Sequence, residues 1–185
     1  MNLQTLQRCL TSNSPYPVTT GGVRDAAVMV LIQAYHGVWH FVLIARSHRL
    51  ELHAGETAFP GGRRDSEDRT PEDTAVREVA EEIGVPAQTM KILGTLPLIM
   101  TLGSGFTVYP VVAVLDPDFD GFIPNPDEVD SVFRVPISMF DTHPVVLGPE
   151  HYFLRGYRID GRVIWGATGK IIRKFLDCVS SSPGA

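Results

Sequence analysis

The stretch from Phe59 to Val85, FPGGRRDSEDRTPEDTAVREVAEEIGV, decides the fold of this chain. Its first four residues, 59–62, are predicted to end a strand and pass into a loop, where glycines let a bound ion or phosphate approach the backbone. A helix is predicted to begin at Thr70, whose hydroxyl can cap free amides, with Pro71 in the first helical position. Gly84 is predicted to end that helix. The stretch therefore predicts a strand, a loop and a helix that form one cradle.

One face of this predicted helix is acidic. Glu78, Glu81 and Glu82 are spaced i, i+3 and i+4, so they project from one side. The opposite face is predicted to be buried by an apolar set: Val76, Val79, Ala80 and Ile83. Like charges at i and i+4 cost about 0.2–0.5 kcal/mol per pair on a bare helix, and a hard divalent cation such as Mg²⁺ would offset that cost. A solvated acidic surface is the alternative, and the three glutamates by themselves leave both interpretations open.

The sequence of this stretch resembles the signature of a known enzyme family. Gly62, an acidic residue after a short loop, and the run REVAEEIGV that begins at Arg77 are similar to the box of the Nudix hydrolases, which cleave nucleoside diphosphates linked to another moiety. The usual box has a glutamate one residue closer to the arginine, whereas here Asp68 occupies the equivalent place. This longer spacing resembles the coenzyme A pyrophosphatase branch. Asp68 and its neighbour Glu67 are both candidates to support Arg77.

The segment that precedes the box, residues 46–62, is similar to a motif of the same branch. It matches that motif at four positions: Arg46, His53, Gly55 and Phe59. Glu51 departs from it, because the family usually has arginine there, and Arg49 can compensate. The resemblance implies a substrate-binding set of five residues: Arg46, Arg49, His53, Gly61 and Gly62. Two alternatives stay open, namely that the arginines are surface cations and that His53 is a structural histidine bonded to neighbouring backbone.

The resemblance also implies a metal centre that holds Mg²⁺ or Mn²⁺. The implied ligands are Glu78, Glu81, Glu82, the Gly62 carbonyl and Glu128. Asp127 and Asp130 compete with Glu128, since they lie in the same acidic loop. The ions would neutralise a diphosphate and lower the pKa of an attacking water. The implied catalytic set is Glu78, Glu81, Glu82 and Arg77, with Arg77 orienting the carboxylates and the choice of general base left open.

Apolar runs elsewhere predict the rest of the fold. Strands are predicted at residues 26–33, 40–45, 90–100, 107–115, 132–135, 152–159 and 163–165, and helices at residues 3–10 and 169–178. These elements predict an α/β/α sandwich in which a mixed central β-sheet has the box helix on one side and the C-terminal helix on the other. Residues 1–24 are predicted to form an N-terminal helix and connection, residues 25–179 a Nudix hydrolase domain, and residues 180–185 a flexible tail.

Composition narrows the class of protein. The 185 residues are 44% hydrophobic and 20% charged, as expected for one globular domain, and the net charge of −5 disfavours nucleic acid as a partner. Cys9 and Cys178 lack metal-ligand spacing, so each is predicted to be a free thiol. Neither a signal peptide nor a membrane span is predicted, which favours a cytoplasmic location or the interior of an organelle, with the cytoplasm as our prediction. A small-molecule nucleotide is the predicted partner, and a homodimer is left open.

Three functions are compatible with these features. The first is hydrolysis of coenzyme A or acyl-coenzyme A to 4′-phosphopantetheine, or its acyl form, and 3′,5′-ADP; segment 46–62 and the lengthened box favour it. The second is hydrolysis of another nucleotide, such as ADP-ribose, NADH or a nucleoside triphosphate, which Glu51 favours. The third is a non-catalytic domain that senses a nucleotide. Such domains usually lose box carboxylates, whereas this chain keeps Glu78, Glu81 and Glu82.

Overall fold

A computed structural model describes residues 1–10, 16, 24–101, 105–141, 144–148 and 155–180. The helices are α1 (Leu3–Cys9), α2 (Pro71–Ile83) and α3 (Gly166–Ser180). The strands are β1 (Arg24–Tyr35), β2 (Val38–Arg46), β3 (Thr57–Ala58), β4 (Gly61–Arg63), β5 (Met90–Thr95), β6 (Ile99–Met100), β7 (Phe106–Leu115), β8 (Val129–Pro136), β9 (Val145–Val146), β10 (Arg155–Ile159) and β11 (Arg162–Ile164). None of the described helices has the length and apolar character needed to cross a membrane.

The strands form one large mixed sheet and one small sheet. The large sheet has the order β3-β2-β1-β7-β5, and β4, β6 and β8 pair with β1, β7 and β2 respectively. Strands β1 and β7 run parallel, whereas the other pairs of this sheet are antiparallel. Strands β9, β10 and β11 form the small sheet. The predicted mixed central sheet is confirmed.

Helices cover both faces of the large sheet. On one face, Met29 of β1 belongs to the same buried cluster as Val79 and Ile83 of α2. On the opposite face, Val30 of β1 belongs to a cluster that includes Phe175 of α3. Successive residues of a strand point to opposite faces, so β1 contributes to both clusters and is apolar along most of its length. The predicted α/β/α architecture is confirmed.

The predicted caps of the box helix are present. The Thr70 hydroxyl accepts a hydrogen bond from the Asp73 N–H at 3.2 Å, and the Asp73 carboxylate accepts one from the Thr70 N–H at 2.9 Å. At the other end Gly84 has a left-handed φ of 67°, and its N–H donates to the Ala80 carbonyl at 3.1 Å. Helix α2 therefore begins and ends where its sequence predicts.

Two details of the box stretch differ from the prediction. Ala80 is exposed, and Ala75 joins Val79 and Ile83 in the core, because positions four apart share a helix face whereas Ala80 is rotated by about 100° from Val79. Gly61–Arg63 form strand β4 instead of a loop, with Gly62 opposite Ala27 of β1. Gly61 has a φ of 150° and lies so close to β1 that a Cβ would collide with it. Strand β4 can therefore pair with β1 because Gly61 has no side chain.

Other predicted elements shift at their ends. The predicted strand 90–100 divides into β5 and β6, because Pro97 between them has no backbone N–H to donate to a ladder. Helix α3 begins at Gly166 and ends at Ser180, so Ser180 is helical and does not belong to a tail. Residues 181–185 of the predicted tail and residues 152–154 of a predicted strand lie outside the described residues.

Cys9 and Cys178 form a disulfide bond, so the prediction of two free thiols is wrong. Cys9 ends α1, and Cys178 lies near the end of α3. The two helices pack against each other and bring the Cα atoms to 5.6 Å, a normal separation for a disulfide. The sequence separation of 169 concealed the pair, since sequence spacing reports only local partners.

Candidate active site

Glu82 is the buried member of the acidic face of α2. It is 2% exposed, and its carboxylate accepts a hydrogen bond from the Gly61 N–H at 2.8 Å. Its second oxygen lies 3.8 Å from Arg46 Nη1. Burial raises the pKa of Glu82 to about 8; Glu78 and Glu128 also raise it, against the Gly61 N–H and Arg46. Glu82 is therefore not part of a solvated acidic surface.

Glu78 lies against the backbone of strand β4. A Cβ at Gly62 would be 2.5 Å from both oxygens of the Glu78 carboxylate. Burial raises the pKa of Glu78, and the Arg77 guanidinium only partly offsets that effect, since Glu81 and Glu128 raise the pKa as well. The sequence needs glycine at this position because a carboxylate occupies the space of its side chain.

Gly62→Ala is expected to reduce hydrolysis about a hundredfold, because the added methyl group must displace the Glu78 carboxylate. The value of kcat/KM measures the effect. Gly121→Ala is the matched control, since a Cβ there would make an ordinary 3.7 Å contact with Phe119 and should leave activity unchanged. Equal activity of the two variants would contradict the close contact.

Arg77 links the acidic face to the loop before α2. Its Nη1 donates to Glu78 at 2.9 Å and to Glu81 at 2.8 Å. Its Nη2 donates to Asp68 at 2.9 Å and to the Arg63 carbonyl at 2.9 Å. The guanidinium thus fixes two glutamates relative to the loop. Glu81 is the exposed member of the face, with its side chain 54% accessible.

Asp68, and not Glu67, is the acidic residue that supports Arg77. Asp68 is 6% exposed, and its carboxylate also accepts hydrogen bonds from the Thr74 hydroxyl and the Asp65 N–H, both at 2.8 Å. Burial acts to raise the pKa of Asp68, but the hydrogen bonds from Arg77, Asp65 and Thr74 outweigh it and hold the pKa below its ordinary value. Glu67 is exposed. The extra residue in the box therefore leaves the arginine with a buried partner.

Asp68→Asn is expected to lower kcat about tenfold and the free energy of unfolding by about 2 kcal/mol, because Arg77 loses its charged partner and then holds Glu78 less firmly. Activity assays and denaturant unfolding measure the two effects. The neighbouring change Glu67→Gln should alter neither quantity. Similar losses in both variants would show that the loop, and not the Asp68 contact, is responsible.

Two residues that the sequence analysis did not single out support Asp68. Thr74 donates to Asp68, and the Tyr16 hydroxyl shares a 2.8 Å hydrogen bond with Thr74. Burial raises the pKa of Tyr16 to about 12, so this hydroxyl stays protonated, and Arg64 lies over its ring at 4.4 Å. Thr74 lies in the box and could have been recognised, whereas Tyr16 is 58 residues from Thr74 and gives no local signal.

Glu128 acts on the same cluster from the loop before β8. It is half-buried, and its charge raises the pKa of both Glu78 and Glu82. Asp127 and Asp130 instead pair with basic side chains of the loop after β2. Of these three acidic residues, Glu128 is therefore the one with a clear electrostatic effect on the two buried glutamates.

The predicted substrate-binding residues divide into two groups. Arg46, Gly61 and Gly62 adjoin the buried glutamates, and among the described residues the buried Arg46 Nε has no hydrogen-bond partner. Arg49 is 72% exposed and lies 3.3 Å from Asp127. His53 is exposed.

The backbone of His53 has a positive φ of 59°. Its Nδ1 lies 3.1 Å from the Glu56 carboxylate, so the neighbour it contacts is a side chain and not backbone.

Comparison with known proteins decides the family. The model of the NUDIX domain matches residues 23–154 of this chain. The chain belongs to the Nudix family. It is 35% identical over 166 residues to a protein of Pectobacterium atrosepticum named uncharacterized Nudix hydrolase NudL, and the match covers 86% of this chain and 85% of that protein. A protein of Citrobacter koseri with the same name is 36% identical over 169 residues, with 82% and 80% covered.

Solved structures show the same Nudix fold. The crystal structure of a Nudix hydrolase from M. smegmatis, RenU, superposes on this chain with a TM-score of 0.61 and covers 90% of this chain and 91% of its own. Its sequence identity is 19%, so the likeness concerns the fold alone. The predicted family is confirmed, whereas the name of the NudL relatives specifies no substrate.

Nudix hydrolases generally use divalent metal ions, so the residues of this chain can be tested for their fit. Oxygen donors suit Mg²⁺ and Mn²⁺, and Glu78, Glu82 and Glu128 supply them within one electrostatically coupled cluster. Burial is the main cause of the raised pKa values of Glu78 and Glu82, and a bound cation would oppose that effect by favouring the charged carboxylates. In the described part of the chain, no three acidic, histidine or cysteine side chains are already gathered as a metal site. The donor chemistry fits, and of these three carboxylates Arg77 binds one, that of Glu78.

Proposed function

We propose that this Nudix hydrolase is a metal-dependent pyrophosphohydrolase that cleaves the diphosphate of coenzyme A or acyl-coenzyme A. The products would be 4′-phosphopantetheine, or its acyl form, and 3′,5′-ADP. The observation that carries the proposal is the buried Glu82 carboxylate with Arg46 at 3.8 Å. A buried acidic group beside a cation suits a substrate that brings phosphate groups together with a divalent ion.

The metal would be held by the acidic cluster. Glu78 and Glu82 are the proposed main ligands of Mg²⁺ or Mn²⁺, and Glu81, Glu128 and the Gly62 carbonyl are further oxygen donors. The ion would supply charge neutralisation at the diphosphate and a water of lowered pKa. One glutamate of the cluster serves as general base.

Basic side chains would position the phosphates. Arg46 is the best placed of them, because its buried Nε has no hydrogen-bond partner among the described residues and its Nη1 is at the outer limit of an ion pair with Glu82. Arg49 and His53 are proposed to contact the outer part of the substrate. Each already lies beside an acidic residue, Asp127 and Glu56 respectively, which would have to yield to a phosphate.

A second candidate is hydrolysis of ADP-ribose, NADH or a nucleoside triphosphate. The observation that favours it is Glu51, which is exposed and places a negative charge where the coenzyme A pyrophosphatases usually have arginine. Substrates with fewer phosphates outside the diphosphate would tolerate this charge better. The non-catalytic alternative remains disfavoured, since all three box glutamates are present.

A product assay tests the proposal. Purified protein is incubated with Mg²⁺ or Mn²⁺ and with coenzyme A, acetyl-coenzyme A, ADP-ribose, NADH or ATP, and EDTA provides the metal-free control. We expect metal-dependent release of 3′,5′-ADP from the coenzyme A compounds in preference to turnover of the others. Turnover of ADP-ribose or NADH instead would favour the second candidate. Nucleotide binding without turnover would favour the sensing domain.

Location and assembly also belong to the proposal. We propose a cytoplasmic enzyme with a small nucleotide as its partner, and without nucleic acid because its net charge is −5; a homodimer remains open. The disulfide between Cys9 and Cys178 favours a more oxidising compartment, because disulfides are rare in the cytoplasm. Thiol labelling of the protein in its own cells distinguishes the two locations. Cysteines that react directly would indicate the cytoplasm, and cysteines that react only after reduction would indicate an oxidising compartment.

A further inference from the structure

A second candidate site lies across the central sheet from Glu78 and Glu82. A cavity of about 620 Å³ opens between α3, strand β10 and residues 98–100. Its lining residues Ile99 and Tyr157 belong to the core cluster on the α3 face, whereas α2 packs on the other face. The volume is typical of sites for small molecules. The sheet therefore separates this cavity from the acidic cluster.

Four cations line the cavity. Lys170, Arg173 and Lys174 are spaced i, i+3 and i+4 on α3, so they share one helix face, and Arg155 belongs to β10. Arg173 pairs with Asp177 at 2.9 Å. Like charges at this spacing repel one another, and the net charge of the whole chain is −5, so the positive charge here is a local concentration. The charge of the cavity suits an anion.

A buried polar group also lines the cavity. Tyr157 is 3% exposed, and its hydroxyl has no hydrogen-bond partner among the described residues. Burial raises the pKa of Tyr157, although the nearby Arg173 acts to lower it, so the hydroxyl is a donor at neutral pH. A buried hydroxyl without a partner is destabilising, and an anion in the cavity would supply the missing acceptor.

The rim of the cavity is apolar. Leu98 is 48% exposed and Met100 is 70% exposed, although both are large hydrophobic residues. With Pro144 they belong to the lining of the cavity. A ligand that fills this space would bury hydrocarbon against the rim, and the removal of apolar surface from water favours binding.

We propose that this cavity binds a small amphiphilic anion, which places its phosphate, sulfate or carboxylate group among Arg155, Lys170, Arg173, Lys174 and the Tyr157 hydroxyl, and its apolar part against Leu98 and Met100. The site is independent of the proposed hydrolysis, because it lies on the opposite face of the sheet. Its occupant fills a concave space between α3, β10 and residues 98–100, which distinguishes it from a flat membrane surface.

Titration calorimetry with decyl phosphate below its critical micelle concentration tests the site. Saturable binding of one molecule is expected, with decyl maltoside, decyltrimethylammonium and inorganic phosphate each at least about tenfold weaker. The double variant Lys170→Gln and Lys174→Gln should weaken binding about tenfold, and Tyr157→Phe about fivefold. Lys91→Gln, an exposed lysine on β5, is the matched control and should bind as the unsubstituted protein does. Hydrolysis of nucleotides should be unchanged in the double variant.

Several results would overturn the site. Equal affinity for decyl maltoside would show that the rim binds hydrocarbon without regard to charge. If neither the double lysine variant nor Tyr157→Phe weakened binding, the ligand would bind at another place on the protein. Capture by anionic vesicles without binding of the soluble probe would assign these cations to a membrane surface. A dimer in sedimentation that the double variant dissociates would assign them to a second copy, and loss of hydrolysis would assign the cavity to the nucleotide substrate.

Discussion

Glu82→Gln is expected to lower metal-dependent hydrolysis about a hundredfold to a thousandfold, with little change in the fold. Glutamine keeps the shape of the side chain and an oxygen that can accept the Gly61 N–H, which Glu82 binds at 2.8 Å. It removes the buried negative charge proposed to hold the metal. Measurement of kcat and of the metal concentration for half-maximal activity would separate lost binding from lost chemistry. Full turnover by this variant would overturn the metal assignment.

The same change is expected to stabilise the metal-free protein at alkaline pH. Burial raises the pKa of Glu82 from its ordinary 4.5 to about 8, so between these pH values the folded state holds a proton that the unfolded chain has released. The stability that this proton contributes is complete below about pH 4.5 and is lost as the pH rises through 8. Glutamine has no such proton. In EDTA at pH 8, we therefore expect the variant to have a Tm about 5 °C above that of the unsubstituted protein, with a smaller difference at pH 5.

Glu81→Gln is the matched control for this pH effect. Glu81 belongs to the same helix face, but its side chain is 54% exposed, so its removal should not raise the Tm as the pH increases. Calorimetric scans of the three proteins from pH 5 to pH 8 make the comparison. If the Tm values of Glu82→Gln and of the unsubstituted protein changed equally with pH, the proposed effect of the buried Glu82 carboxylate would be contradicted.

Loss of the disulfide is expected to produce the largest change in stability. The double variant Cys9→Ser and Cys178→Ser should lower the free energy of unfolding by about 2–5 kcal/mol under oxidising conditions, because the bond closes a long loop in the unfolded chain, between residues with a sequence separation of 169. Urea unfolding measures the change. Dithiothreitol should destabilise the unsubstituted protein by a similar amount and leave the double variant unaffected. If neither the double substitution nor dithiothreitol changed the urea midpoint of unfolding, the expected contribution of the disulfide to stability would be contradicted.

Whether the sequence could predict a structural feature depended on how far apart in the chain its interacting residues are. The caps of α2 at Thr70 and Gly84 depend on neighbours within four residues, so its sequence sufficed to place both ends. The burial of Glu82 depends on β4, whose Gly61 comes 21 residues earlier. The pairing of Cys9 with Cys178 depends on two helices from opposite ends of the chain meeting on one face of the sheet. Local patterns carry no information about such contacts.

The candidate site likewise combines residues that local spacing predicts with contacts between distant parts of the chain. Its three box glutamates and Arg77 were predicted, because helical spacing places them together. The choice of Asp68 over Glu67 required the fold, since only the structure shows which carboxylate turns inward to Thr74 and Arg77. The support that Tyr16 gives to Thr74 could not be predicted, because Tyr16 is separated from the box by three strands and their connections.

The disulfide also changes what a protease can do to this molecule. Residues 9 to 178 form a closed covalent ring that includes every strand of both sheets and the whole acidic helix. A single cut anywhere in that ring opens it without separating the two pieces. A nicked protein would therefore run as one species in electrophoresis without reductant and as two fragments after reduction. Only a second cut within the ring could release a segment of it.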